Sequence, residues 1–348
     1  MGSGSASGIR TFMSSDKTES HTAPLRVAIA GLGVVGGEVA RQLTHRADAM
    51  KAPTVRGFEI VAVSARSRDT DRGFDISNID WYEDAAALAT RDDVDVIVEM
   101  IGGHDGVALE LVKTSLSRGI HVVTANKALL AHNGTELARL AEESGAALMF
   151  EAAIAGGIPA VKALREGLVG NSFSRVSGIL NGTCNYILTR MERTGEAFGD
   201  VLADAQALGY AEAEPSLDVD GIDAAHKLTL LAAIAFGQKP NENDVTTRGI
   251  SDVAALDFEF AEGFGAVIRL IARAEKKIIK DASSISSSDG GIVQAVEPCL
   301  VRKSSVLSGI SGVTNAVQFE TDMVDVMLQG PGAGGGRVTR FWGRKARR

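Results

Sequence analysis

Residues 25–43 read LRVAIAGLGVVGGEVARQL. A short apolar run ends in glycine and passes at once into a segment with helical spacing, the pattern of a buried parallel strand that turns directly into a helix. No other feature constrains the fold as tightly, because a strand buried on both faces needs helices on both sides of its sheet. Gly31, Gly33 and Gly36 form a G-x-G-x-x-G at the junction. There Gly31 makes the tight turn, Gly33 lets backbone approach a pyrophosphate, and Gly36 lets helix and strand pack closely. The free N–H groups and positive dipole end of the helix face the phosphates. Leu32, Val34 and Val35 complete this expected dinucleotide-binding loop.

The alternation continues. FEIVAVSAR (58–66), VDVIVEM (94–100), HVVTAN (121–126) and ALMFEAA (147–153) read as strands, and GVALELVKTSLSRG (106–119) and NGTELARLAEESG (133–145) as helices closed by glycine. This predicts an α/β fold with a Rossmann-type doubly wound parallel sheet over residues 25–154. Past about residue 155 the pattern changes. Helices at 157–168, 185–195 and 198–209 surround one strand, and strands follow in succession at 266–274, 292–301, 315–321 and 324–330. A second α+β domain with a largely antiparallel sheet is expected over residues 155–330. Residues 1–24 are small, polar and aperiodic, a disordered leader without the apolar centre of a signal peptide. The segment 331–348 is an atypical tail whose last twelve residues carry six cations, read as a solvated end.

Composition excludes several classes of function. A net charge of -8 argues against a nucleic-acid binder, which needs a basic face. Two cysteines, Cys184 and Cys299, make no disulfide framework and point to a reducing, cytoplasmic setting. The six histidines contain no H-x-x-x-H pair, so a zinc site has no support, and no apolar run is long enough to span a bilayer.

The second strand ends VSARSRD, placing Ser64, Arg66 and Arg68 where an NAD site usually has an acid for the ribose 2′-OH. A guanidinium there suits a 2′-phosphate, so NADP(H) is expected in preference to NAD(H). Further on, TANKALL (124–130) brings Lys127 to the C-terminal end of a parallel strand, where open α/β sheets bind ligands. ILNGTCNYILTRM (179–191) turns a strand into a helix at Asn181, Gly182 and Thr183, whose amides could serve an anion. In DVDGIDAAHKLTLLAAIAFG (218–237), Asp223 and Lys227 are four apart and share a helix face. The LTLLAAIAF that follows has no polar face wide enough for an exposed helix, so its start must lie in a cleft.

Taken together, TANKALL, EAAIAGGIP, NGTCNYIL and LGYAEAEPSLDVDGIDAAHKL resemble the homoserine dehydrogenase family, from the glycine loop to GPGAG at 330–334. The resemblance implies interconversion of L-homoserine and L-aspartate 4-semialdehyde with a nicotinamide cofactor, on the route to threonine and methionine. It makes the second domain the substrate and dimerisation domain of a homodimer. It implies acid/base chemistry at Lys227, with Lys127 beside the nicotinamide and substrate. Glu212, Asp218 and Asp223 would hold the substrate, with Gly182 and Thr183 beside it. Ile101, Gly102, Gly209 and Gly334 would join the glycine loop, Arg66 and Lys127 around the cofactor. It also implies a monovalent cation, usually sodium, held by oxygens of Glu151, Ile154, Gly156 and Ile158, hard donors suited to such an ion. The sequence leaves open which lysine transfers the proton, and Lys227 is the favoured one. The competing reading is another NADP-dependent oxidoreductase of the same two-part shape, against which the Glu212–Asp223–Lys227 set weighs. Two stretches depart from the family pattern. Residues 274–291 read as a local insertion, and the cationic tail stands where a closing apolar helix is usual. No regulatory domain follows the tail, so feedback inhibition by threonine through one is not expected.

Overall fold

The computed structural model describes residues 23–46, 57–277 and 291–332. Its first sheet consists of β1 (Leu25–Ala30), β2 (Phe58–Ser64), β3 (Asp80–Tyr82), β4 (Val96–Glu99), β5 (His121–Thr124) and β6 (Leu148–Met149), all parallel, in the order β3-β2-β1-β4-β5-β6. That is the Rossmann order, with the strand sequence reversing between β1 and β4. Helices α1 (Val34–His45), α2 (Gly106–Ser117) and α3 (Lys127–Ser144) supply crossovers. The apolar run of β1 is buried as expected: Ala28, Ile29 and Ala30 are fully covered. Burial of a side chain such as Ile29 contributes about 1.5–3 kcal/mol. At the start of α3 the Asn126 side chain accepts from Leu129 N at 3.0 Å, and at its end Gly145 takes φ +71°.

The second sheet contains β7 (Phe173–Ile179), β8 (Val245–Thr247), β9 (Ala266–Lys276), β10 (Ile292–Arg302), β11 (Thr314–Thr321) and β12 (Val326–Pro331), in the order β12-β11-β7-β9-β10-β8. Only the β10–β8 pair is parallel. Helices α4 (Gly182–Thr194), α5 (Phe198–Ala207), α6 (Ile222–Phe236) and α7 (Ala255–Gly263) accompany it. Apolar α6 forms the seam between the two sheets. Its Leu228 and Leu231 share one buried cluster with Leu129 and Leu130 of α3 and with Leu270 and Phe319 of the second sheet. A helix covered on several sides has no use for a polar face, which accounts for the composition of LTLLAAIAF.

Two local expectations are corrected here. The fifth strand is only Leu148–Met149, and the chain turns into a helical segment at Glu151–Ile154. The Glu151 carboxylate draws the backbone round by accepting from Val161 N (2.8 Å) and Lys162 N (3.0 Å). The helix expected over 157–168 begins only after Pro159, as Ala160–Lys162, and then widens into a π-turn at Ala163–Gly167. Short β3, short β8 and α7 were not expected, since none carries a continuous apolar run or a clean period. Among the described residues no helix is long and apolar enough to cross a membrane.

Candidate active site

The glycine loop is built by steric exclusion. Gly31 adopts φ +93°, donates its N–H to Ser64 O at 2.8 Å, and lies so close to β4 that a Cβ would come within 2.6 Å of Met100 O. A Cβ on Gly36 would strike Gly31 O. Gly33, in contrast, has nothing within 4 Å of its missing Cβ. It leads into α1 without a side-chain cap, so the first N–H groups of that helix remain available to an anion. Val34 and Val35, 67% and 57% exposed, and partly exposed Ile101 stand around this opening. Arg66 and Arg68 are exposed just beyond the end of β2, while Ser64 is buried.

The opposite wall rests on a carboxylate that sequence reasoning missed. Glu99 ends β4 fully buried; Oε1 accepts from Ile101 N (2.7 Å) and Gly102 N (3.1 Å), and Oε2 from Thr124 Oγ1 (2.5 Å). Thr124 Oγ1 in turn accepts from Asn126 N at 2.9 Å, and Asn126 Nδ2 donates to Gly103 O at 2.6 Å. A buried carboxyl is tolerable only with such partners. The signal was present as the lone acid in VIVE, inside an otherwise apolar strand. This network fixes the 101–103 turn and the start of α3, and therefore Lys127.

From there Lys127 reaches across to the second half of the molecule. Its Nζ lies 2.5 Å from Asp223 Oδ1, and Lys227 Nζ lies 2.7 Å from Asp223 Oδ2. Lys227 also donates to Leu180 O at 2.9 Å. Asn181, the N-cap of α4, accepts from Cys184 N through Oδ1 and uses its Nδ2 on Asp218 Oδ1 (2.7 Å) and Asp223 Oδ2 (3.1 Å). Burial by itself would raise the pKa of Asp223, but the charges of Lys227 and Lys127 outweigh it and hold the carboxyl well below the usual range. Asp218 goes the other way. Burial raises it, the Asn181 hydrogen bond offsets part of the rise, and the charge of Asp223 adds to it. Cys184, buried at the same helix start, is raised well above the usual thiol value by burial and then by the charge of Asp218, so it is an inert thiol.

The remaining expected residues are distributed unevenly around this centre. Thr183 Oγ1 donates to Tyr210 O at 2.8 Å, joining the start of α4 to the loop after α5 that contains Gly209 (φ +72°). A Cβ on Gly182 would come within 2.8 Å of Val313 O. Glu212 follows in the same loop but is exposed, and its carboxylate takes no part in the cluster's hydrogen bonds; Gln206 holds its backbone carbonyl at 3.0 Å. Gly334 lies outside the described residues. The turn 151–158, with Gly156 at φ +61°, carries Glu151 and the Ile154, Gly156 and Ile158 carbonyls, hard oxygens of the type that could hold a monovalent cation, although the Glu151 carboxylate is engaged by Val161 N and Lys162 N and the Ile158 carbonyl by Ala160 N. Among the described residues, no three His, Cys, Asp or Glu side chains converge on a metal position.

Comparison with known proteins matches both halves. A family profile described as homoserine dehydrogenase covers residues 159–339, and one described as homoserine dehydrogenase, NAD binding domain, covers residues 31–151. A homoserine dehydrogenase of Neisseria gonorrhoeae is 41% identical over 312 residues, 89% of this chain and 69% of that protein. The chain belongs to the homoserine dehydrogenase family. The crystal structure of a homoserine dehydrogenase from Thiobacillus denitrificans superposes with a TM-score of 0.81 at 38% identity, over 90% of this chain and 70% of that one. A hyperthermophilic archaeal homoserine dehydrogenase in complex with NADPH matches with a TM-score of 0.71 at 27% identity, over 93% and 98% of the two chains. Homoserine dehydrogenases are oxidoreductases acting on a CH–OH group, and the lysine–carboxylate cluster of this member lies at the mouth of its nicotinamide-cofactor domain.

Proposed function

We propose that this chain interconverts L-homoserine and L-aspartate 4-semialdehyde with NADP(H), as a step toward threonine and methionine. The observation that carries this reading is the grip of Lys127 and Lys227 on the two oxygens of Asp223, which joins the cofactor half to the second half at one charged point. The open space at Gly33 fits a pyrophosphate, and Gly31–Gly36, Ile101, Gly102, Lys127, Gly209 and Gly334 are the residues to hold the dinucleotide. Bound NADP supplies the hydride acceptor for the alcohol carbon.

The chain's own groups handle substrate and proton. Glu212, Asp218 and Asp223 hold the ammonium and hydroxyl end, and the first amides of α4 at Gly182 and Thr183 meet the carboxylate. Lys227 takes the hydroxyl proton at Nζ in oxidation and returns it in reduction. Glu151, Ile154, Gly156 and Ile158 would hold a monovalent cation, whose charge would fix the turn entering the second half.

Arg66 and Arg68, exposed at the end of β2, support NADP(H) over NAD(H), as does the NADPH complex of the archaeal relative. The two cysteines are free thiols, in keeping with a reducing cytoplasm. Exposed Phe260, Phe264 and Leu300 in the second half support burial against a second copy, as a homodimer. The deciding experiment follows NADPH oxidation driven by aspartate 4-semialdehyde in the purified protein. Saturable turnover is expected. A folded sample that binds NADPH without turning over would overturn the activity, and a higher kcat/KM with NADH would overturn the cofactor preference.

A further inference from the structure

Arg72 stands beyond the segment expected to meet the cofactor's adenosine end, yet its side chain ties that segment to the glycine loop. Its guanidinium donates from Nε to Leu32 O (3.2 Å), from Nη2 to Ser67 O (2.6 Å) and from Nη1 to Thr70 O (2.9 Å). Leu32 lies between Gly31 and Gly33, and Ser67 lies between Arg66 and Arg68. One planar fork therefore fastens the backbone between the two exposed arginines to the phosphate-binding turn. The guanidinium also sits over Trp81 of β3, 5.6 Å from the ring centre. A second tie lies one residue on: Gly73, at φ +71°, is held by Asp71 Oδ1 through its N–H (2.8 Å), and its carbonyl is 3.1 Å from His45 Nε2 in the last turn of α1. The β2–β3 loop is thus pinned to the glycine loop and to the helix that follows it.

We propose that Arg72 is a positioning residue for cofactor choice: its clamp between Leu32 and Ser67 sets Arg66 and Arg68 beside the phosphate-binding turn, where they meet the 2′-phosphate of NADP(H). The inference rests on the NADP(H) reading given above. A guanidinium already engaged by three carbonyls acts through its neighbours rather than as a ligand. Lysine cannot replace it, since an ammonium lacks the planar fork that spans two loops at once.

The test compares kcat/KM for NADPH and NADH in the wild type, in Arg72→Lys, in Arg66→Ala/Arg68→Ala, and in the triple variant. Arg72→Lys keeps the charge and should lose about tenfold in kcat/KM for NADPH through KM, with kcat and the NADH values within twofold of wild type. Added to the Arg66→Ala/Arg68→Ala background it should cost nothing further, because the clamp acts through those residues. Losses that add in the triple variant would make Arg72 a direct phosphate ligand and overturn the proposal. Equal losses with both cofactors would reduce it to general support of the fold. A wild type that prefers NADH removes the NADP(H) reading and the proposal with it, whereas a wild type that prefers NADPH together with an unaltered Arg72→Lys removes the clamp alone. Arg72→Gln, which keeps a planar donor, serves the same comparison where the lysine variant folds poorly.

Discussion

Lys127 and Asp223 stand 96 positions apart and meet at 2.5 Å across the junction of the two sheets. The same carboxylate holds Lys227 with its other oxygen at 2.7 Å. Asp223→Asn leaves two ammonium groups facing an amide that can accept on one side only. The variant should lose on the order of 2–3 kcal/mol of stability, less than a fully buried pair would because Lys127 keeps access to water. The pH dependence fixes the sign. Asp223 is depressed in the folded state, so its contribution is complete above the ordinary aspartate value near 3.9 and is lost as pH falls through the folded value. Urea unfolding should show the wild-type advantage at pH 7 and its loss only in strong acid; an advantage that fades between pH 7 and 5 would contradict the ion-pair account.

The two lysines should separate kinetically. Lys227 is the more enclosed and is oriented by Leu180 O as well as Asp223, an arrangement that suits the proton transfer proposed for it. Lys227→Ala should reduce kcat by roughly 10²–10⁴-fold, the span of a general acid/base. Lys127→Ala should act mainly on KM for cofactor and substrate. Steady-state kinetics of both variants check the assignment, and the reverse pattern would transfer the proton step to Lys127.

Much of this arrangement was legible in the sequence because it follows from local rules. The strand–glycine–helix junction fixes the position of Gly33, and the four-residue spacing of Asp223 and Lys227 places both on one face of α6. Long-range partners were not legible. Nothing in TANKALL says that Lys127 meets Asp223, and nothing in VDVIVEM says that Thr124 and two backbone amides close round Glu99. The shortened fifth strand had the same origin: Glu151 binds amides ten and eleven positions ahead, and that tertiary contact overrides the apolar run. Glu212 shows the opposite limit. Its motif was plain, but its side chain stays outside the hydrogen-bonded cluster.

Asp218 should behave in the opposite sense to Asp223. Burial raises its pKa, so in the folded state its carboxylate opposes stability at neutral pH. The folded protein binds the proton more tightly, and stability falls as pH rises through the window above the unfolded value. Asp218→Asn keeps an oxygen that can accept from Asn181 Nδ2 and removes the charge. Thermal unfolding should show the variant more stable than wild type at pH 7, with the gain shrinking as pH approaches 4. Its KM for homoserine should rise, because a carboxylate that would meet the ammonium is gone. A variant less stable at pH 7 would contradict the desolvation argument.

The glycines at 33 and 36 offer the sharpest division between folding and binding. An alanine methyl at Gly36 strikes Gly31 O, a backbone atom that cannot move without unseating the β1–α1 turn, so Gly36→Ala should unfold at lower temperature with or without ligand. At Gly33 the methyl enters open space, and φ −70° with ψ −159° suits alanine. Gly33→Ala should therefore keep its unfolding free energy to within about 0.5 kcal/mol, as a change that creates no clash usually does. The proposed cofactor site brings the pyrophosphate close to the backbone in that space, and there the methyl should weaken NADPH binding by tenfold or more. Calorimetric unfolding paired with titration of NADPH fluorescence checks both variants. Unchanged NADPH affinity in Gly33→Ala would show that the dinucleotide does not pass over this turn.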